Sequence, residues 1–188
     1  MSAKSHNPGT IRPLHLEDVG DAGALIVLQR LAYRREADLI GSDAIPPLHE
    51  SLEALQNSGE TFFGYEVEGQ LVGAASYKRS GALLDIHRMM VHPAFVRRGI
   101  ARALLRFVEG CEPGSERVIV STGSLNTPAL ALYQQQGFVA MGQEEVVPGL
   151  WITHLEKRLH QEQMASDEQV SSPQAAPAGE TPRGPAAE

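Results

Sequence analysis

Residues 86–109 predict a strand, a turn and a helix in succession, and this segment restricts the fold more than any other. Residues 86–91 are rich in apolar side chains, and Pro93 ends the strand because proline has no N–H to donate to a sheet. Gly99 precedes a helix that is predicted to end near Gly110. Its apolar residues recur at i, i+3, i+4 and i+7, which is the spacing of one helical face: Ala101, Leu104, Leu105 and Val108.

The turn before this helix, residues 96–101 (VRRGIA), has the composition of an anion site. Small residues allow a ligand to approach the main chain, and the first N–H groups of a helix have no partner within it. The helix dipole adds partial positive charge, so phosphate is the ligand that such a turn favours. Arg97, Arg98 and Arg102 add full charges. The alternative is a solvated basic face on an ordinary amphipathic helix.

Residues 91–93 (VHP) and 96–101 together resemble motif A of the GNAT superfamily of acyl-CoA-dependent N-acyltransferases, V-x-P-…-[RQ]-x-x-G-x-[GA]. The resemblance implies that main-chain amides of the turn hold the pyrophosphate of coenzyme A. Ala101 is a residue that the family allows at the last position. Val96 departs from the pattern, since the family has Arg or Gln there, and this change removes one polar contact.

Residues 126–138 resemble the second motif of the same family, N-x-x-A-x-x-x-Y-x-x-x-G-F, at all five marked positions. The resemblance implies that Tyr133 is the general acid, which protonates the thiolate that leaves when an amine attacks a thioester. It also implies that Asn126 contacts the coenzyme. Each residue has a structural alternative, since Asn126 could only cap a helix and Tyr133 could only pack in the core.

The coenzyme site that the resemblance implies combines both motifs with the end of the preceding strand, whose main chain is expected to pair with the pantetheine arm. The predicted cofactor-binding residues are Met89, Met90, Val91, Val96, Arg97, Arg98, Gly99, Ile100, Ala101, Arg102, Asn126, Ala129 and Tyr133. The cosubstrate is expected to be acetyl-CoA. No metal is expected, because the seven histidines show no paired ligand spacing on a helix.

An amine acceptor must lose a proton before it attacks, and for a lysine-like amine this costs about 4–5 kcal/mol at neutral pH. Relatives often use a carboxylate or a histidine near the central strands as the base. Asp85 and His87 are predicted for this role because they share one strand face by period two, and Glu36 is a further candidate. The resemblance places Tyr33 and Glu36 in the substrate pocket. A structural histidine and a solvated acidic helix face remain the alternatives.

The whole pattern predicts an α+β protein with a mixed sheet, in the GNAT order of elements. Residues 22–39 are expected to form a helix with an inward face of Leu25, Leu28, Leu31 and Ala32, and residues 118–120 a strand buried on both faces. Three regions are predicted: a loose lead over residues 1–9, an N-acetyltransferase domain over residues 10–160, and a disordered acidic tail over residues 161–188.

Composition excludes several other classes. The net charge is −7, of which the tail carries −4, so general nucleic-acid binding is not expected. A single cysteine, Cys111, excludes a disulfide framework within the chain. Apolar runs are too short to span a membrane and the start lacks a signal peptide, so a cytoplasmic location is expected.

The predicted function is transfer of an acetyl group from acetyl-CoA to an amine, carried by a small molecule or a peptide, by direct attack in a ternary complex. A homodimer is possible. The alternative function is a coenzyme-binding module that senses acyl-CoA or serves as a partner domain without catalysis.

Overall fold

A computed structural model describes residues 9–159, which form a seven-stranded mixed sheet with helices on both faces. The strands are β1 (Thr10–Leu14), β2 (Thr61–Val67), β3 (Gln70–Ser80), β4 (Leu83–Val91), β5 (Arg117–Gly123), β6 (Val139–Val147) and β7 (Leu150–Arg158). The helices are α1 (Val19–Ile40), α2 (Leu52–Gln56), α3 (Ile100–Cys111) and α4 (Thr127–Gln135), with 3₁₀ turns at Pro46–His49 and Pro93–Phe95. The predicted tail and all but the last residue of the predicted lead lie outside the described residues.

The strand order is β1-β2-β3-β4-β5-β7-β6, and β4 with β5 is the one parallel pair of the described sheet. This arrangement confirms the predicted α+β class with a mixed sheet. Pro13 lies in an edge strand, as its missing N–H predicts. The last two strands form a hairpin, with β7 between β5 and β6.

A β-bulge at His87 divides β4 into two halves. The register with β3 skips this residue, since Ile86 and Arg88 lie opposite adjacent residues of β3. Before the bulge Ile86 packs into the core on the α3 side, and after it Met90 packs into the core on the α1 side. Bulges bend a strand and increase its twist. Pairing between β4 and β5 accordingly stops at Ile86 and Val120, and the two strands continue without pairing to each other.

The buried face of α1 differs from the predicted one. Leu25 and Leu28 are buried as expected, but Leu31 is 41% exposed. The buried line continues instead through Gln29, Tyr33 and Ala37, at a spacing of four. At 3.6 residues per turn, this line of buried residues lies next to the line that contains Leu31. The prediction therefore extended the wrong one of two adjacent lines of side chains.

One other local prediction is wrong. In β5, Val118 and Val120 are buried but Ile119 is only partly covered, because α1 lies across β3 and β4 and leaves the same face of β5 open. The helix α3 ends at Cys111, next to Gly110 as predicted, with Glu112 as its C-terminal cap.

Candidate functional site

The N-terminus of α3 differs from that of the other α-helices in residues 9–159. Asp18, Ser51 and Asn126 cap α1, α2 and α4 by accepting a hydrogen bond from a main-chain N–H of the first turn. The residue before α3 is Gly99, which has φ 80° and no side chain to cap with. The first N–H groups of α3 are therefore available to a ligand.

Basic side chains surround this free helix start. Arg97 adopts a φ of 62°, a conformation that costs a residue with a Cβ some strain, and Arg98 packs over the Phe95 ring with its guanidinium carbon 4.7 Å from the centroid. Arg97, Arg98 and Arg102 are all exposed. Helix dipole, free N–H groups and arginine charges all favour an anion here, as the sequence predicts.

A glycine that the sequence analysis missed brings α3 close to the sheet. A Cβ built on Gly73 of β3 would lie 2.6 Å from Cγ2 of Ile100, the first residue of α3. Any larger residue would therefore push the helix start away. Because Gly73 lies opposite Val91, this close approach places the start of α3 beside the end of β4. Only the pairing of β3 with β4 reveals this role.

The gap between β4 and β5 begins where the bulge separates them. Residues 89–91 run along this gap, with Met90 buried and with Met89 and Val91 partly buried. On the side facing β5 their main chain has no strand partner in the described sheet. An extended ligand can add to such an edge as a further strand. The predicted residues of β4 and of the turn before α3 are thus brought together.

Tyr133 lies in α4, the helix that follows β5, and is 3% exposed. Its ring packs on Phe138, with centroids 5.5 Å apart. Burial raises the pKa of Tyr133, and the nearby negative charge of Glu36 raises it further. The hydroxyl therefore stays protonated and can donate a proton. Packing and chemistry are both compatible with this position.

Glu36 reaches the same place from α1. Its Oε1 atom lies 3.8 Å from the position of a Cβ on Gly123, the last residue of β5. Burial raises the pKa of Glu36, and hydrogen bonds from the Asn126 side chain and the Gly123 N–H offset part of this effect. Asn126 thus caps α4 and contacts Glu36. A half-buried carboxylate beside a tyrosine suits a cationic amine.

Tyr33 precedes Glu36 by one turn of α1 and is buried. Burial raises the pKa of its hydroxyl, and the charge of Glu36 adds to this shift. The charge states of Tyr33 and Tyr133 also affect each other. The structure therefore brings together the two predicted substrate-binding residues and the predicted acid, which come from different parts of the chain.

Asp85 and His87 lie beside each other at the bulge, with His87 Nε2 3.3 Å from Asp85 Oδ2. The other ring nitrogen of His87 is 3.8 Å from a carboxylate oxygen of Glu60. Both predicted bases are partly exposed. Of the three predicted bases, Glu36 is the one whose charge raises the pKa of Tyr133.

The sequence analysis placed Arg88 in an apolar strand without giving it a role. The bulge turns its side chain toward α1, where it is 7% exposed. It forms ion pairs with Glu50 and, at 2.8 Å, with Glu60, and it donates to Gln29 Oε1 at 2.8 Å. A buried arginine with these partners holds α1 and the segment before α2 against β4. The sequence did contain a signal for this role, since Arg88 is an arginine within the apolar-rich residues 86–91.

A cleft of about 440 Å³ lies between the end of α1 and the β6–β7 hairpin, one helical turn from Glu36. Its lining is mostly apolar and includes an exposed tryptophan: Ile40, Ser124, Leu125, Gln143, Gly149, Leu150 and Trp151. A second cleft, of about 580 Å³ beside β1 and α2, contains no residue of either motif.

Comparison with known proteins decides the family. The family described as acetyltransferase (GNAT) domain matches residues 36–159. The chain belongs to the GNAT family. The match includes both motifs, the bulged strand and Glu36, and it confirms the resemblance that the two motifs indicated.

Two relatives show how far the similarity of this GNAT chain extends. UPF0157 protein YqkA of Bacillus subtilis is 39% identical over 132 residues, which are 70% of this chain and 38% of that protein. The chain therefore spans about two-fifths of that relative's length. N-alpha-acetyltransferase RimI of Mycobacterium tuberculosis is 33% identical over 118 residues, 61% of this chain and 73% of that protein.

Solved structures confirm the GNAT fold. The PaiA N-acetyltransferase of Thermoplasma acidophilum, in complex with coenzyme A, has a TM-score of 0.66 at 20% identity, covering 80% of this chain and 99% of that one. The ribosomal-protein-S18-alanine N-acetyltransferase of Escherichia coli has a TM-score of 0.65 at 18% identity, covering 84% and 97%. No helix within residues 9–159 combines the length and apolar character that a membrane span requires.

Proposed function

We propose that the protein transfers an acetyl group from acetyl-CoA to a primary amine by direct attack in a ternary complex. One observation carries the proposal. The gap between β4 and β5 is bordered by a free, basic helix start that follows β4 and by Glu36, which lies by the last residue of β5 and acts electrostatically on Tyr133. This arrangement suits a long ligand with an anionic end and a reactive end.

The coenzyme is assigned to the N-terminus of α3 and the open edge of β4. The free N–H groups after Gly99 suit a diphosphate, and Arg97, Arg98 and Arg102 add positive charge at the same end. The main chain of residues 89–91 can pair with the amides of a pantetheine arm. The thioester would supply the acetyl group beside Tyr133.

Tyr133 is assigned as the acid that protonates the departing thiolate. Because burial raises its pKa, the hydroxyl remains protonated at neutral pH and keeps a proton to donate. The buried position beside Phe138 also excludes water, which strengthens a hydrogen bond to a developing charge.

Glu36 is assigned to the acceptor amine. The charge of its carboxylate raises the pKa of both Tyr133 and Tyr33, and Tyr33 lies one turn before it in α1. A carboxylate at this position can hold an ammonium group and orient the amine toward the thioester. The cleft beside Trp151 would receive the rest of the acceptor. Because the RimI relative is named for α-amino groups, peptides with a free N-terminus are the first acceptors to test.

Thermal melting with and without acetyl-CoA, followed by thiol release with a panel of amines, tests the proposal. A ligand at 100 times its Kd adds about 2.7 kcal/mol to the free energy of unfolding, which a melting curve detects readily. The panel contains peptides with a free α-amine, peptides with only a lysine amine, and small diamines. A melting shift without thiol release from any amine would instead support the sensor function, and the absence of a shift would remove both.

A further inference from the structure

A serine, a histidine and a glutamate form a hydrogen-bonded row across β5, β7 and β6. Ser121 Oγ lies 2.8 Å from His154 Nδ1. The other ring nitrogen, His154 Nε2, lies 3.4 Å from Glu144 Oε2. None of these residues belongs to either motif. Strand pairing alone brings them together, since Ser121 lies directly opposite His154 and Glu144 lies diagonally across the next pair of strands.

The row begins where β4 and β5 separate. The last pair of the two strands joins Ile86 to Val120, so Ser121 is the first residue of β5 at the open gap. Its side chain is exposed, and by the alternation of a strand it lies on the same face as Gly123, beside which the Glu36 carboxylate is placed. Two residues along a strand span about 7 Å, so an amine held by Glu36 is within reach of Ser121.

The hydrogen bonds favour the tautomer of His154 in which Nδ1 accepts a proton. A proton on His154 Nε2 points toward the carboxylate of Glu144, which leaves Nδ1 unprotonated. The Ser121 hydroxyl can then donate to Nδ1, and its oxygen lone pairs remain free to accept a hydrogen bond from the gap. This arrangement therefore favours proton transfer from Ser121, at the gap, to His154.

The chemistry needs such a route. Acetylation of an ammonium group releases one proton beyond the one that ends on the thiol, and Glu36 is half-buried. The His154 side chain is 42% exposed, so a proton that it accepts can pass to water.

We propose that Ser121 and His154 form the proton acceptor of the reaction and relay the proton of the attacking nitrogen to solvent. This proposal rests on the proposed function. The ammonium nitrogen loses one proton to Ser121 Oγ, while the original hydroxyl proton of Ser121 passes to His154 Nδ1, and the lone pair left on nitrogen forms a bond to the thioester carbon. The carbon–sulfur bond breaks, the sulfur takes its proton from Tyr133, and the second proton that the nitrogen loses restores the Tyr133 hydroxyl. No bond forms between Ser121 and the acetyl group.

Substitutions in the row, assayed with the best amine of the panel, test the relay. We expect His154→Ala to lower kcat by ~100-fold and Ser121→Ala by ~10-fold or more, within the usual range for proton-transfer groups. Added imidazole should restore part of the activity of His154→Ala but not of Ser121→Ala. Glu144→Gln should lower kcat by only a few-fold, because Glu144 acts through His154. The affinity for acetyl-CoA, followed by its melting shift, should not change.

The matched control is His15→Ala. His15 is also exposed and also lies near a carboxylate, with Nδ1 3.5 Å from Glu17 Oε1, but it is next to the edge strand β1 at the opposite side of the sheet. Its removal should leave kcat unchanged, with or without imidazole.

Two results would overturn the relay. One is a kcat of His154→Ala within about twofold of the unsubstituted protein at saturating amine. The other is a covalent acetyl group on Ser121 after incubation with acetyl-CoA alone, found by mass spectrometry, since this would make Ser121 a nucleophile. If no amine of the panel makes the unsubstituted protein release thiol, the proposed function fails and the relay fails with it. Activity that survives in His154→Ala removes the relay alone.

Discussion

The helices α3 and α4 follow the two strands of the parallel pair, β4 and β5, and their N-termini are capped differently. Gly99 leaves the first N–H groups of α3 free and lies between Arg98 and Arg102. Asn126 accepts a hydrogen bond from Ala129 N–H at 3.2 Å, and its amide also contacts the half-buried Glu36. Two helix dipoles of the same sign thus serve different purposes. The N–H groups at the start of α3 remain available to an anion, whereas the start of α4 is capped by Asn126 and lies next to the Glu36 carboxylate.

The comparison implies a division of labour. Changes at α3 should act on coenzyme affinity, whereas changes around α4 should act on turnover or on its pH dependence. The four predictions below test this division, in order of decreasing effect.

Tyr133→Phe should lower kcat by ~100-fold or more and leave the Kd for acetyl-CoA nearly unchanged, because only the proton donor is removed. Tyr77→Phe is the matched control. Tyr77 is also buried, and its hydroxyl donates to Glu112 on the α3 side of the sheet, away from the gap. Steady-state kinetics with the melting shift give both quantities. Equal turnover in the two variants would end the assignment of Tyr133 as the acid.

Gly99→Asp should raise the Kd for coenzyme A by ~30-fold, about the value of one or two hydrogen bonds to a charged group. The substitution makes α3 resemble α4 by placing an anionic acceptor at its free N–H groups. Gly81→Asp controls for backbone strain, because Gly81 has φ 59° and lies in the β3–β4 turn at the other end of the sheet. Isothermal titration measures both. An unchanged Kd for Gly99→Asp contradicts the phosphate site.

Asn126→Asp should shift the pH dependence of kcat/KM. The new residue can still cap α4, but it replaces an amide that stabilises charged Glu36 with a carboxylate that repels it. The pKa of Glu36 should rise further, so the activity that requires its charged form should be lost at a higher pH as the pH falls. Glu36→Gln should abolish this acidic limb. An acidic limb at the same pH in Asn126→Asp would show that Glu36 does not control it.

Arg98→Gln and Arg102→Gln should each weaken coenzyme binding by only about threefold, since exposed charges interact through solvent. The loss should shrink as salt is added. Arg106→Gln, one turn further along the same helix, is the control, since Arg106 bonds to Gln136 of the neighbouring segment. Titrations at low and high ionic strength give the comparison. A loss that is independent of salt would indicate a packing role.

The phosphate turn and the α4 motif could be predicted from the sequence because their signals are local. A glycine before an apolar helical stripe and an asparagine before Thr127-Pro128 each specify a helix start within a few residues. Both structural alternatives raised for the second motif also hold, since Asn126 caps α4 and Tyr133 packs on Phe138. Their chemical roles stay predictions.

The bulge could not be predicted, and it changes which residues meet. Asp85 and His87 were placed together by period two, and they do touch. The same period, however, cannot tell that His87 is an extra residue and that Arg88 therefore turns toward α1. A bulge depends on pairing with β3 and β5, and a single strand carries no record of its partners.

The sequence by itself determined the order of elements, the edge position of β1, the free start of α3 and the capped start of α4, because each depends on neighbouring residues and on main-chain hydrogen bonding. Only the tertiary structure decided that α1 brings Glu36 to Tyr133, that Arg88 is buried among carboxylates, and that Ser121 meets His154. These contacts join residues far apart in the chain. Sheet register, the bulge and helix packing place them, and these are properties of the assembled core rather than of any one segment.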